Sequence, residues 1–312
     1  MKKSALIVIC VVGVTWQASG GTNTIYSFLR TDVGARAAAL AGSVVTVTED
    51  PTMLFYNVAG LGAIPGARGS AGFFKHLLDI NAGYVAYSQP IENLGSFGAG
   101  VIYTNYGSFT ETDELGDNLG TFTANDLAFE LGYSNTLDEH LYYGVGLKFI
   151  YSSIADARSS GLAGDLGLLY TIPENHVALG VSVRNIGTEL TPYLDTREPL
   201  PLDVTIGGSI IPKGLPLLLN INFHNLSDDV SSFGDRFRAF TIGGEFTLSK
   251  VVQARIGYNN QQRKDLKIGA SVGLEGFSGG IGIVAGGYRF DYALSSLGGI
   301  GSLHRISIGT DF

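Results

Sequence analysis

The sequence predicts an all-β protein: an antiparallel transmembrane β-barrel of about 14 strands with a small, partly helical N-terminal plug. Three observations carry that prediction. Apolar residues recur every second position from about Gly66 to the end. Charged residues make up only 15% of the chain, against a usual share of about 25%, while it holds 44 glycines, 15 tyrosines and 17 phenylalanines. The last nine residues, HRISIGTDF, run as an alternating strand that stops on the aromatic Phe312.

The N-terminus reads as a cleaved export signal spanning residues 1–20. Lys2 and Lys3 form its basic start, Ala5 to Val14 its apolar core, and Ala18-Ser19-Gly20 a small-residue cleavage site. The apolar run is shorter than the ~20 residues a spanning helix needs. Cys10, the single cysteine, lies inside this segment, so the mature chain has neither disulfides nor thiol chemistry. Loss of Lys2 and Lys3 takes the net charge from −8 to −10. An acidic exported chain without a basic stripe is unsuited to nucleic acid.

Residues 21–65 differ in pattern and are expected to form the plug. Thr31 or Asp32 is a candidate N-cap for an alanine-rich helix ending at Gly42. VVTVT (44–48) reads as a short strand. Asp50-Pro51 is an N-cap and first-turn pair opening a second short helix.

Residues 66–312 are expected to form the barrel. Its strand segments are 66–76, 80–90, 95–106, 122–134, 140–153, 160–171, 175–186, 202–212, 215–226, 236–248, 250–261, 265–275, 277–293 and 300–312. Most are near the ~9–11 residues of a tilted membrane-crossing strand. Tight connections (135–139, 173–176, 212–215) alternate with longer ones (107–121, 187–201, 227–235). In LYYGVGLKFIYS, Leu141, Tyr143, Val145, Leu147, Phe149 and Tyr151 share a face. Gly144, Gly146, Lys148 and Ser152 share the other, with Ile150 the exception. Such sparse charge makes a poor water-facing surface. With the apolar face in lipid and the glycine-rich face lining a narrow lumen, composition and pattern agree. A sheet in lipid must close on itself, because open edges leave backbone groups unpaired. The last strand then pairs with the first, and Ile306, Ile308, Thr310 and Phe312 face lipid. Phe312 also looks like a C-terminal insertion signal. Tyr84, Tyr87, Tyr103, Tyr106, Tyr133, Tyr151, Tyr170 and Tyr258 fall near strand ends, as a membrane-boundary girdle would.

Strand parity puts Glu130, Lys148, Asp165, Arg184, Glu245, Arg255, Lys267 and Glu275 on the lumen face. Balanced charge reads as a structural, cross-lumen salt-bridge network that fills the barrel and not as a selective ion path, since buried charges are normally paired. Asp113, Glu114 and Asp117 lack the helix-flanked calcium-loop pattern and read as a solvated acidic loop. The five histidines (76, 140, 176, 224 and 304) show no paired-ligand spacing, and no GxSxG or P-loop motif occurs. No catalytic residue, cofactor site or metal site is expected, and the protein reads as a non-enzyme.

Two stretches resemble a known family. VGARAAALAGSVVTVTEDPTMLFYNVAGLG (33–62) is similar to the N-terminal block of the PorV/PorQ outer-membrane proteins through Gly34, Ala35, Arg36, Gly42, Asp50, Asn57, Ala59, Gly60 and Leu61. Val58 stands where the family has proline. TIYSFLRT (24–31) leans toward the PorQ branch, and DYALSSLGGIGSLHRISIGTDF (291–312) resembles the family's closing hairpin. The resemblance implies a FadL-like barrel of fourteen strands with a lumenal plug, residing in the bacterial outer membrane. It also implies a non-enzymatic binding or scaffold role in type IX-like protein secretion and surface attachment. The expected partners are outer-membrane lipid and a secreted protein or secretion-machinery subunit. The alternative is a FadL-like transporter of hydrophobic small molecules, against which the charged lumen positions argue.

Overall fold

The protein, seen in a computed structural model, is described over residues 24–76, 79–266 and 273–312; the predicted signal segment lies outside them. Fourteen strands form one closed sheet: β1 Arg68–Lys75, β2 Asn81–Ile91, β3 Gly95–Thr112, β4 Asn118–Asp138, β5 Leu141–Ile154, β6 Ala157–Ile172, β7 Val177–Thr191, β8 Asp203–Ile210, β9 Leu217–Phe223, β10 Phe240–Thr247, β11 Val252–Asn259, β12 Phe277–Ala285, β13 Tyr288–Ser296 and β14 Ser302–Asp311. Each pairs antiparallel with its sequence neighbours. β14 returns to β1 from Arg68↔Asp311 to Lys75↔His304, so no edge remains open. Closure pairs each strand on both sides within the wall, apart from the ends that run beyond a neighbour.

Alternation decides which way each side chain points. Phe149 is 42% exposed and its neighbour Ile150 fully buried, because one faces out and the other in. Ile150 breaks the polar rule of the inner face because an apolar plug lies against it. Outside, Phe129, Leu131, Val145, Leu147, Ile281, Ile306 and Ile308 continue an apolar band around the wall. Tyr84 is a correction to the expected girdle: it points inward, buried, and its hydroxyl meets Ser70.

Connections sort by end. Turns of two to six residues join β2–β3, β4–β5, β6–β7, β8–β9, β10–β11 and β12–β13, and Phe312 lies at this turn end. The longest connections, 192–202, 224–239 and 260–276, lie at the other, loop end.

Four local expectations change. The segment 265–275 adds no strand to the wall, because β11 pairs directly with β12: a short helix, α2 (Asn260–Leu266), ends at its start, residues 267–272 lie outside those described, and a turn follows before β12. The segment 277–293 holds two strands, β12 and the start of β13, split by Gly286-Gly287, both at positive φ (60° and 82°). A two-residue turn of that kind is the favoured hairpin connection. The two errors cancel, so the count of fourteen stands. The supposed loop 107–121 is mostly strand, because β3 and β4 run on beyond their other neighbours and pair with each other, Ser108↔Thr123 to Thr112↔Asn118. Finally, VVTVT (44–48) forms turns and not a strand.

Residues 24–64 fill the lumen. A one-turn helix, α1 (Ala35–Ala39), follows Gly34, which is its N-cap without any side-chain hydrogen bond; neither Thr31 nor Asp32 caps it. Two 3-10 helices follow, Pro51–Phe55 and Val58–Ala63. Each is capped from the preceding side chain: Asp50 accepts from the Thr52 amide, and Asn57 from the Ala59 amide. Met53, Leu54, Phe55, Val58 and Leu61 pack with the wall residues Tyr84, Ala86, Ile102, Ala128 and Ile150 in one core. α1 packs instead through alanines, against Ala293.

Candidate functional site

Three charge clusters join plug to wall and strand to strand. In the first, Arg36 of α1 grips Glu245 of β10 through two hydrogen bonds of 2.8 Å. Arg255 of β11 meets the same carboxylate at 2.6 Å and Asp291 of β13 at 2.5 Å. In the second, Lys148 of β5 lies 2.9 Å from Asp165 and 3.3 Å from Glu130, and donates to Asn185 at 2.8 Å. Asn185 sits at positive φ where the β6–β7 register shifts, and its amide donates to Asp165. In the third, Arg184 of β7 pairs with Asp203 at the start of β8 and donates to the Phe55 carbonyl of the plug at 2.8 Å. Asp203, Asp291 and Asn185 were not singled out in the sequence. Asp291 was hidden inside the fused strand segment, and Asp203 and Asn185 sit at a strand start and a bulge, where parity is hard to read.

Of the positions placed in the lumen by parity, Glu275 does not belong to these clusters: it lies in the turn before β12, against Gly298, and its parity came from the segment 265–275, which adds no strand to the wall. Lys267 lies outside the described residues.

The plug motif is structural in its contacts. Ala35 is fully buried in α1. Gly42 closes the turn after α1 against the Asp32 carboxylate. Gly60 fits between Met53 and the Val47 carbonyl, and Leu61 lies against Gly98 and Gly132 of the wall. Asn57 also donates to the carbonyls of Val45 (2.8 Å) and Leu168 (3.1 Å), while Ser182 and Ser134 donate to the carbonyls of Tyr56 and Ala59. Two of the three clusters therefore reach the plug, through Arg36 and through the Phe55 carbonyl, while the second ties wall strands to one another.

Above the plug, at the loop end, lies a polar cavity of about 440 Å³ lined by Asp32, His76, Arg184, Asp203, His224 and Arg305, among others. Burial pushes the imidazoles of His76 and His224 down to about 4, so both are neutral near pH 7. Beside it, on the inner face of the extended β3–β4 hairpin, is an aromatic groove of about 380 Å³. Phe109 and Phe122 stack across the hairpin with ring centroids 5.3 Å apart. Ile25, Tyr26, Ala124, Ile154 and Tyr193 complete the walls, and Asp126, Tyr106 and Ser152 form the floor. The Tyr106 hydroxyl donates to Asp126 at 2.6 Å, Ser152 donates to its other oxygen, and Tyr193 donates to Ser152. A larger concavity, about 990 Å³, is a dent in the outer apolar band between Phe73, Val85, Tyr103, Ile281, Phe290 and Ile306. Among the described residues no three His, Cys, Asp or Glu side chains converge to hold a metal ion.

A closed fourteen-strand antiparallel barrel filled by its own N-terminal segment has the architecture of the FadL-type outer-membrane barrels. No protein-family model matches the sequence, and no curated protein matches it. Solved structures do. The toluene transporter TbuX of Ralstonia pickettii superposes with a TM-score of 0.62 at 13% identity, covering 89% of this chain and 98% of that one. The toluene transporter TodX of Pseudomonas putida gives 0.60 at 14% identity, with 89% and 98% covered. A FadL homologue of Pseudomonas aeruginosa gives 0.57 at 10% identity, with 90% and 98% covered. At such identities the likeness establishes the fold. The first two are toluene transporters, and none of the three is named as a secretion-system subunit.

Proposed function

We propose that the protein is an outer-membrane conduit for hydrophobic small molecules. The carrying observation is the aromatic groove: an apolar pocket of ligand size on the inner face of a plugged barrel, with a few polar groups at its floor. In bacterial barrels short turns face the periplasm and longer loops the outside, which puts the groove on the outer side, where a solute arrives. The lumen charges, which in the sequence argued against a greasy path, tie the plug to the wall and wall strands to one another, and so leave the groove as the receiving surface. A docking platform for secreted proteins, as the PorV/PorQ resemblance suggests, has no use for an apolar pocket opening inward. The groove favours transport.

Two experiments test this reading. Bacteria that lack other channels of this kind and express the protein are expected to accumulate radiolabelled toluene several-fold faster than vector controls. Phe109→Ser with Phe122→Ser should return uptake to the control rate. Wild-type uptake no faster than the control would dismiss transport. The membrane setting is tested by Ile306→Lys, in the middle of β14 on the outer face and 56% exposed. A lysine at the bilayer midplane costs about 2–4 kcal/mol, read as a lowered urea midpoint in lipid vesicles. An unchanged midpoint would remove Ile306 from the hydrocarbon.

A further inference from the structure

We infer that the aromatic groove binds hydrophobic organic cations, molecules that join an aryl or alkyl body to an ammonium group. This rests on the conduit reading and names, beside the neutral hydrocarbons that the walls alone would accept, a solute class that the groove holds more tightly.

The argument begins with charge. The buried carboxylates of the three clusters, Glu130, Asp165, Asp203, Glu245 and Asp291, each have a Lys or Arg nitrogen close by. Asp126, 8% exposed at the groove floor, does not: among the described residues no Lys, Arg or His nitrogen lies within 4 Å of it. Its two hydroxyl donors, Tyr106 and Ser152, are neutral and occupy about two of the roughly four acceptor positions of a carboxylate. Glu189 of β7, fully buried behind the groove wall, is likewise without a cation and is held by the Ser159 hydroxyl and the Glu198 amide. Ser159 in turn contacts Tyr26 of the groove. None of the residues lining the groove is basic. Two carboxylates therefore bias it toward positive charge.

The walls carry the same bias. Tyr26, Tyr106, Phe109, Phe122 and Tyr193 all line the groove. An aromatic face is the negative pole of the ring quadrupole and attracts an ammonium within about 6 Å of its centroid. Aromatic walls around a carboxylate floor fit a cation with an apolar body. A neutral hydrocarbon gains only the walls, and an apolar carboxylate is repelled by the floor.

The test uses three ligands of similar shape and different charge. The folded full-length protein in nanodiscs of zwitterionic lipid is titrated calorimetrically near neutral pH with 2-phenylethylammonium, 2-phenylethanol and 3-phenylpropanoate, with empty nanodiscs as blank. The ammonium is expected to bind about tenfold more tightly than the alcohol, and the propanoate more weakly than both. Asp126→Asn removes the charge at nearly the same shape; its one amide oxygen still accepts from one of the two hydroxyls, and the other must turn to accept from the amide nitrogen. The substitution should lower ammonium affinity to that of the alcohol and leave alcohol affinity unchanged. The wild-type ligand series stands without that variant, should it fold poorly. Equal affinity for ammonium and alcohol, tightest binding of the propanoate, or no saturable ammonium binding would each overturn the cation assignment. None of those outcomes touches toluene uptake, whose absence is the separate failure of the conduit reading.

Discussion

Replacing Glu245 by alanine is expected to cost the folded barrel about 3–5 kcal/mol, the usual penalty for removing one partner of a buried ion pair. Glu245 is the hub of the first cluster. Arg36 of the plug and Arg255 of the wall share its carboxylate, and all three are buried. In Glu245→Ala, Arg255 still has Asp291 at 2.5 Å. Among the described residues Arg36 has no other carboxylate within 4 Å, and its Nη1 already lacks a hydrogen bond. The cost therefore falls on an uncompensated guanidinium inside the lumen. Urea titration in lipid vesicles reads it as a lowered midpoint. The double variant Arg36→Met with Glu245→Leu removes both charges and should recover most of the loss, because apolar residues of similar size often replace a buried pair at little cost. A single variant as stable as the wild type would mean that water reaches Arg36 and that α1 is held by its alanine packing alone.

The location of that hub bears on what the sequence could and could not show. Glu245, Arg255, Lys148 and Asp165 were legible because each interrupts a run of alternating apolar residues, and alternation fixes the face once one face is greasy. They pair mostly with one another on neighbouring strands and not across the lumen; what joins them to the plug was not legible, since parity carries no information about which plug atom meets which wall strand. Arg36 is such a case: its sequence neighbours are alanines, and its partner is 209 residues away. The β3–β4 extension was illegible for a different reason. Beyond Asn105 that hairpin pairs only with itself, so no second neighbour imposes a period, and its Gly, Thr and Asp content reads as loop. VVTVT alternates like a strand, yet inside the lumen its backbone is satisfied from elsewhere: the Val45 carbonyl accepts from Asn57, and the Val47 amide bonds to Val44. A strand pattern without a strand partner folds as turns. The aromatic groove was hidden for both reasons, since Phe109 and Phe122 sit on the self-paired hairpin and Ile25, Tyr26 and Tyr193 come from the plug and a loop.

The second large effect concerns how the plug is seated. A Cβ on Gly144 of β5 would fall inside van der Waals distance of the Ala59 and Val58 backbone, and one on Gly257 of β11 would lie 2.5 Å from the Ala41 amide nitrogen. Both obstructions are main chain, which cannot rotate aside as a side chain can. The two sites press on opposite halves of the plug, the 3-10 helix Val58–Ala63 and the end of α1. Valine at either site alone should cost about 1–3 kcal/mol by overpacking. Gly144→Val with Gly257→Val leaves the plug no wall to settle against, and displacing it relieves both clashes. The wild-type barrel in a planar bilayer should then stay closed to small ions while the double variant conducts. Gly66→Val, where a Cβ meets nothing within 4 Å, should behave as wild type. A double variant that remains sealed at wild-type stability would show that the wall yields before the plug. The lumenal glycines would then be a consequence of close packing and not what fixes the plug in place.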